Sequence, residues 1–338
     1  MHRRLISCAL VVVALMSWST AVVSAHPGDN ASQAADSVTR VAPPVQGEVQ
    51  TRAIRNPDGS YSTRSAHTKT SAPANSRGKL AFASSQSSRT LTIGLPAEVT
   101  PADAVLSSDG SVVYGSVAGP SSIIVQGFTN GVRMSTTLTS QDAGSSFSYP
   151  LDLQKGSRIE VQDNGGVLIV GPDGSFLGGL LPPWAKDRNG ASVPTHYTVQ
   201  GNSVVQVIDA NLAALAYPVV ADPYLFIDLI DHWQWVVTYT HNGKNGWSDY
   251  VWPTPWAINM SGNPVVAVFG WSELVSKDVH HYINTNVDGM SDQYQCHQIL
   301  FAGILRIEGG AVYHLDEYRV HVGLGQTMLD QCNPPYAW

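Results

Sequence analysis

Short apolar and polar runs alternate from Leu91 to Asp222, and Gly, Pro, Asp or Asn separates one run from the next. Alternation with a period of two is typical of β-strands that bury one face. The Asp-Gly and Asn-Gly pairs favour tight hairpins, because glycine adopts positive φ without strain. The pattern predicts an antiparallel β-sandwich-like domain over residues 91–222. Its predicted strands are Ser111–Ser116, Ser121–Gln126, Arg133–Leu138, Ser146–Leu151, Arg158–Gln162, Gly166–Val170, Ser175–Leu180, His196–Gln200 and Ser203–Asp209.

Aromatic residues become frequent after Pro223, and seven of the nine tryptophans lie in residues 223–338. This change predicts a domain boundary and a small α+β domain over residues 223–338. Its predicted strands are Gln234–Thr240, Val265–Phe269 and Ala311–Val322. Apolar residues spaced three or four apart predict a helix over Asp292–Ala302, with Ser291 as its N-cap.

The first 25 residues have the pattern of an export signal. Arg3 and Arg4 precede an apolar run from Leu5 to Met16, and Val23-Ser24-Ala25 offers small residues for cleavage. We predict cleavage near Ala25 and a mature chain that is secreted or associated with the cell envelope. No later apolar run approaches the roughly 20 residues that span a bilayer. No transmembrane segment is therefore predicted in the mature chain.

Ser, Thr, Ala and Pro dominate residues 26–90, where Tyr61 and Phe82 are the only aromatic residues. Such a composition buries too little apolar area to offset the entropy of ordering the chain. We therefore predict a disordered linker over residues 26–90.

The formal charge of −7 is unevenly distributed along the chain. Residues 26–90 carry about +4, whereas residues 91–222 and 223–338 carry about −6 and −7. Nucleic-acid binding needs a basic face, so no nucleic-acid partner is predicted for the folded regions. The basic segment is interpreted as a solvated linker, with contact to anionic wall polymers as the alternative.

Two cysteines, Cys296 and Cys332, remain after removal of the signal segment that contains Cys8. In an oxidising compartment an isolated pair forms one disulfide. A metal site would need more sulfur or clustered histidine, and no zinc-protease, dinucleotide or P-loop motif is present. The sequence therefore predicts a disulfide, no metal and no cofactor.

Two parts of the chain carry motifs in a recognisable order. With Trp252-Pro253-Thr254-Pro255-Trp256, Gly270-Trp271-Ser272-Glu273-Leu274, Ser291-Asp292-Gln293, Cys296-His297 and Cys332-Asn333-Pro334, the C-terminal region resembles an uncharacterised secreted actinobacterial domain. With Pro182–Ala185, Val193–Tyr197 and Ala216–Pro223, the preceding region resembles a β-rich module of secreted actinobacterial proteins. The first resemblance implies a domain boundary but no activity. The second implies that the β-module is a spacer or presentation domain rather than a catalyst. The family of the C-terminal region usually has Trp-Asn-Leu-Glu followed by Arg-Pro, and the chain departs from this pattern with Tyr313-His314-Leu315-Asp316 and Arg319-Val320.

The candidate catalytic residues are His297, Glu273, Asp316 and Arg319, with Glu317 as an alternative to Asp316. A histidine beside a carboxylate can act as a general base, and an arginine can hold an anion through two hydrogen bonds. A buried, hydrogen-bonded histidine and a structural salt bridge are the competing interpretations. The sequence alone does not show whether these side chains converge.

The candidate ligand-binding residues are Trp252, Trp256 and Trp271. Exposed tryptophans stack on sugar rings or anchor protein partners, whereas core packing is the competing interpretation. The sequence favours a non-enzymatic exported protein that binds cell-wall polysaccharide or an envelope protein. The alternative is a secreted hydrolase or toxin-like effector that uses His297, a carboxylate and Arg319.

Overall fold

A computed structural model describes residues 27–43, 48–115, 119–241, 243–278, 283–301 and 312–337 of the chain. The predicted export signal lies outside these residues. The helices are α1 (Pro27–Val41), α2 (Pro255–Asn259), α3 (Pro264–Lys277), α4 (Val287–Cys296) and α5 (Leu324–Leu329), and a turn of π-helix spans His297–Phe301. The strands are β1 (Gln50–Thr51), β2 (Ile54–Arg55), β3 (Tyr61–Arg64), β4 (Thr68–Ala72), β5 (Lys79–Ser84), β6 (Thr90–Gly94), β7 (Ala104–Leu106), β8 (Val112–Gly115), β9 (Ser121–Phe128), β10 (Gly131–Leu138), β11 (Ser146–Pro150), β12 (Arg158–Val161), β13 (Val167–Val170), β14 (Phe176–Leu180), β15 (Ala185–Lys186), β16 (Thr195–Gln200), β17 (Ser203–Ile208), β18 (Val219–Ala221), β19 (Tyr224–Phe226), β20 (Ile230–His241), β21 (Lys244–Pro253) and β22 (Tyr313–Asp316).

The described strands form four antiparallel sheets. The main sheet has the order β12-β13-β14-β19-β10-β9-β8-β7, with β1 beside β9 and β18 between β10 and β15. The N-terminal sheet runs β2-β3-β4-β5-β6, the small sheet β11-β17-β16 and the C-terminal sheet β20-β21-β22. One apolar core joins the first three sheets. The mainly β, antiparallel, sandwich-like fold predicted from the sequence is confirmed.

The disordered linker predicted over residues 26–90 is wrong for the described part of that segment. Helix α1 buries Ala31, Ala34, Ala35 and Val38 against the main sheet. The strands that follow build the N-terminal sheet, and in β4 buried and exposed residues alternate. Low average hydrophobicity misled the prediction, because small residues at regular spacing pack closely without large apolar side chains.

The predicted boundary at residue 222 also divides a continuous structure. Strand β19 follows that boundary but pairs with β10 and β14 in the main sheet. Trp256 of α2 is fully buried in the same cluster as Phe176 and Phe226 of the main sheet. At Gly179 an added Cβ would lie 2.4 Å from the Trp256 ring, so the backbone approach requires glycine.

Three C-terminal elements differ from their predictions. Val265–Phe269 lies in α3 rather than a strand, because Asn263 accepts hydrogen bonds from the first turn and Pro264 is the first helical residue. The predicted helix Asp292–Ala302 begins earlier, as α4 from Val287, and ends at the π-helical turn; Ala302 lies outside the described residues. The predicted strand Ala311–Val322 is limited to β22.

The disulfide between Cys296 and Cys332 is confirmed, with both residues buried. It connects the end of α4 to the segment after α5, across 36 residues of sequence. Among the described residues, no helix is both long enough and apolar enough to cross a membrane.

Removal of the disulfide tests its contribution to stability. We expect Cys296→Ser with Cys332→Ser to lower the free energy of unfolding by about 4 kcal/mol, because a loop of this length restricts the unfolded chain. Urea denaturation of the two proteins measures the difference. Two reactive thiols at these positions in the native, unreduced protein would contradict the assignment.

Candidate functional site

Four rings form a row across the outer face of the C-terminal sheet. We call His232, Trp252, Tyr250 and His314 the aromatic row. His232 stacks on Trp252 at 4.2 Å, and Tyr250 stacks on His314 at 4.0 Å between ring centroids. The two pairs meet edge to face, with 6.4 Å between Trp252 and Tyr250. The row therefore continues from β20 through β21 to β22.

Strand register brings the four rings together. His232 lies opposite Trp252, and Tyr250 lies opposite His314. Because side chains alternate between the faces of a sheet, the intervening residues point to the other face. There Trp233, Val251 and Tyr313 pack in the C-terminal core, while Trp252 and Tyr250 stay half-buried and both histidines are exposed.

Asp231 connects the aromatic row to the N-terminal sheet. Its carboxylate oxygens lie 2.7 Å from Nδ1 of His232 and 2.8 Å from Nδ1 of His67. Burial alone would raise the pKa of Asp231, but the hydrogen bonds with His67 and His232 hold it at about 2. The same contact with Asp231 raises the pKa of His67, against the effect of burial. An ionised Asp231 thus fixes the His232 ring beside Trp252.

Glu273 does not belong to a catalytic group. It lies where the turn after β5, the start of β20 and helix α3 meet, a place that we call the junction. Its carboxylate accepts hydrogen bonds from the amides of Leu229 and Ile230 at 2.9–3.0 Å. Arg89 and Lys277 each donate to it at 2.7 Å. All of its hydrogen-bonding capacity is therefore committed to structure.

Asp228 completes this junction. Arg89 Nη2 and Lys277 Nζ lie 3.4 and 3.6 Å from its carboxylate, and Ser84 donates a hydrogen bond at 2.7 Å. Burial, followed by the nearby charge of Glu273, raises the pKa of Asp228. The turn after β5, the chain before β20 and helix α3 are joined by this buried charge cluster.

The other three catalytic candidates lie together but support the C-terminal core. Arg319 donates to the carboxylate of Asp316 and to the carbonyl of Pro334, both at 2.6 Å. The His297 ring stacks on Tyr313 at 5.3 Å, and both of its nitrogens are buried. Burial lowers the pKa of His297 to about 4. The alternative carboxylate, Glu317, accepts hydrogen bonds from Trp247 and Thr285.

The three candidate tryptophans have different environments. Trp252 belongs to the aromatic row. Trp256 is fully buried and lies 5.4 Å from Phe176, so it is a core residue. Trp271 is half-buried beside the C-terminal core, 6.2 Å from Tyr294.

Asp249 is an unusual buried carboxylate on the core face of the C-terminal sheet. It is 0% exposed, and neither carboxylate oxygen has a hydrogen-bond partner among the described residues. Burial, followed by the charge of Asp278, raises the pKa of Asp249 to about 7. Its ionised form therefore destabilises the folded protein.

No group of three or more histidine, cysteine or carboxylate side chains suited to a metal occurs in the described ranges. Two further histidines, His280 and His281, lie outside those ranges.

Among the rings of the aromatic row, the sequence predicted Trp252 as a binding residue but not Tyr250. The signal for Tyr250 was its spacing of two residues from Trp252, which places both rings on one face of a strand.

Fold and site together define a mainly antiparallel β protein with an aromatic face on a disulfide-closed C-terminal region. Residues 230–335 match a family model described as "Protein of unknown function (DUF2599)". This match confirms that the C-terminal region is similar to a domain of unknown function. Neither the curated proteins nor the solved structures include a match to the chain.

Neutralising Glu273 at the junction should have a large effect on the stability of the fold. We expect Glu273→Gln to lower the free energy of unfolding by about 3 kcal/mol, because buried cations lose their partner. Glu160→Gln is the matched control, since its ion pair with Arg158 is exposed and contributes less than about 1 kcal/mol. Urea denaturation at neutral pH gives both values, and equal effects would contradict the structural role of Glu273.

Asp249 predicts a pH-dependent gain in stability. Below about pH 4 the carboxyl is protonated in both folded and unfolded chains, whereas between pH 4 and 7 only the unfolded chain ionises. Stability of the native protein is therefore lost across this interval. We expect Asp249→Asn to have little effect near pH 4 and to stabilise by up to about 4 kcal/mol above pH 7. Asp163→Asn, at an exposed position, is the control; a pH-independent difference for Asp249→Asn would refute the prediction.

Proposed function

We propose that this protein is a non-catalytic, exported binding protein whose aromatic row contacts an envelope polysaccharide. The single observation that supports this proposal is the continuous row of four partly exposed rings over a well-packed sheet. Aromatic side chains combine an apolar surface with polar edges, a combination that suits sugar rings with their apolar faces and hydroxyl groups. His232 and His314 place imidazole groups at the two ends of the row.

The rigidity of the row favours binding without a large entropic penalty. Each ring is stacked on a neighbour, and Asp231, the preceding residue of β20, holds His232. Groups that are already ordered before binding lose less conformational freedom when a ligand arrives. A preorganised aromatic surface is therefore suited to recognition of a repeating polymer.

Export is part of the same proposal. Helix α1 begins at Pro27, two residues after the predicted cleavage site, and its first turns already contact the main sheet. Cleavage near Ala25 would leave this helix intact. The buried disulfide also suits an oxidising compartment.

A hydrolase based on His297 receives no support from the geometry. Glu273 belongs to the junction, Arg319 is committed to Asp316 and Pro334, and the His297 nitrogens are buried. A general base must reach the proton that it removes. The non-catalytic alternative therefore fits the described residues better.

Loss of Trp252 should weaken binding. We expect the full chain to sediment with an insoluble cell-wall polysaccharide fraction, and Trp252→Ala to weaken this binding about tenfold, as truncation of a central aromatic residue does at binding surfaces. Sedimentation at increasing polysaccharide concentration measures the apparent Kd.

Trp247→Ala provides a matched control. Trp247 also lies on β21 and is 41% exposed, but it points to the opposite face from the aromatic row. Its removal should leave the Kd unchanged within about twofold. Equal losses in the two variants, or no sedimentation of the native protein, would refute the proposal.

A further inference from the structure

The outer face of the N-terminal sheet differs in chemistry from the rest of this acidic protein. Residues 50–94 contain seven arginines and lysines but only one acidic residue, Asp58. The inner face of the sheet packs Leu80, Phe82 and Ile93 into the shared core. Arg89 is the exception among the seven, because it turns toward Glu273. The other six basic side chains are exposed, and on the strands they lie on the face opposite the apolar residues.

A cavity of about 450 Å³ lies on this outer face. Three cations line it, Arg52, Arg64 and Lys69, and no carboxylate belongs to its lining. All three residues are exposed. Within the described ranges none of them forms an ion pair, whereas Lys79 at the start of β5 in the same sheet pairs with Asp152 at 2.6 Å.

The arrangement of two of these cations is unfavourable for folding. Arg64 of β3 lies directly opposite Lys69 of β4 in the sheet register. Like charges at opposed positions of neighbouring strands repel and destabilise a sheet. A ligand that carries negative charge would relieve this repulsion by contacting both side chains at once.

The remainder of the lining determines which anion fits. Ala81 and Ala83 keep the middle of the face shallow and open, and Ser62 and Ser71 face each other across β3 and β4. Hydroxyl groups can both donate and accept hydrogen bonds, which suits a ligand rich in hydroxyls. The sheet therefore offers room for an extended chain beside its cations.

We propose that this cavity, which we call the basic face, binds a linear acidic polysaccharide. The cations would contact its carboxylates, and the serine hydroxyls would contact its sugar hydroxyls. Single-stranded nucleic acid fits less well, because its recognition relies on aromatic stacking and no aromatic ring lines the cavity. A planar anionic membrane fits less well because the surface is concave.

This proposal is independent of the aromatic row. The basic face is built from β2 to β5, whereas the row lies on β20 to β22, so each can fail alone. Binding at the basic face should weaken with salt, because added ions screen exposed charges. Binding by stacking at the row should depend much less on salt.

The test measures binding of the full chain, with its disulfide formed, to fluorescent polygalacturonate by fluorescence anisotropy. We expect Arg64→Gln with Lys69→Gln to raise the Kd about tenfold at low salt. The unfolding temperature of this variant should stay the same or rise, since facing like charges are removed. Lys155→Gln with Arg188→Gln is the matched control, because both residues are exposed and lie outside the cavity; its Kd should change less than about twofold.

Three comparison probes complete the experiment: neutral dextran, a single-stranded oligonucleotide and vesicles that contain anionic lipid. The proposal requires tighter binding of polygalacturonate than of any of them. No binding of polygalacturonate, equal losses in the two double variants, or preference for the oligonucleotide or the vesicles would overturn it. A clear fall in the unfolding temperature of Arg64→Gln with Lys69→Gln would also overturn it, because the pair would then serve folding.

Discussion

The carboxylate of Glu273 is the contact on which the arrangement of this protein depends. It receives two backbone amides from the chain that leads into β20, one guanidinium from the turn after β5 and one ammonium from its own helix. Charges buried in this way are tolerated only when every partner is present. A single side chain therefore joins the N-terminal sheet, the chain that leads into β20 and helix α3.

Apolar packing beside that junction supports the sheets that carry the two candidate surfaces. Trp256 packs on Gly179 and is fully buried in a cluster formed by the main sheet and by residues of helices α2 and α3. The C-terminal sheet packs its core face in a separate cluster with Leu274 and Tyr294, and its other face carries the aromatic row. The N-terminal sheet follows the same principle, with apolar residues inward and cations outward. Both candidate binding surfaces are the outer faces of sheets, and apolar packing on the inner faces stabilises those sheets.

The sequence predicts those features that depend on nearby residues. Alternation predicts the antiparallel strands of the main sheet, and the isolated pair Cys296 and Cys332 predicts the disulfide. Composition misleads over residues 26–90, because Ala34 and Ala35 are fully buried through spacing rather than size. Glu273 could not be assigned from sequence, since its partner Arg89 is remote in the chain. The aromatic row likewise requires the register between β21 and β22, which no local pattern specifies.

The packing around Trp256 limits how the C-terminal region can be transferred from one protein to another. The family match begins at residue 230, yet part of the surface that packs around the indole, namely Phe176, Phe226 and Gly179, lies outside the match. A gene that acquired only the matched segment would encode a protein with a bare aromatic patch, prone to self-association. A matched segment moved into another protein would therefore need other apolar residues there to cover Trp256.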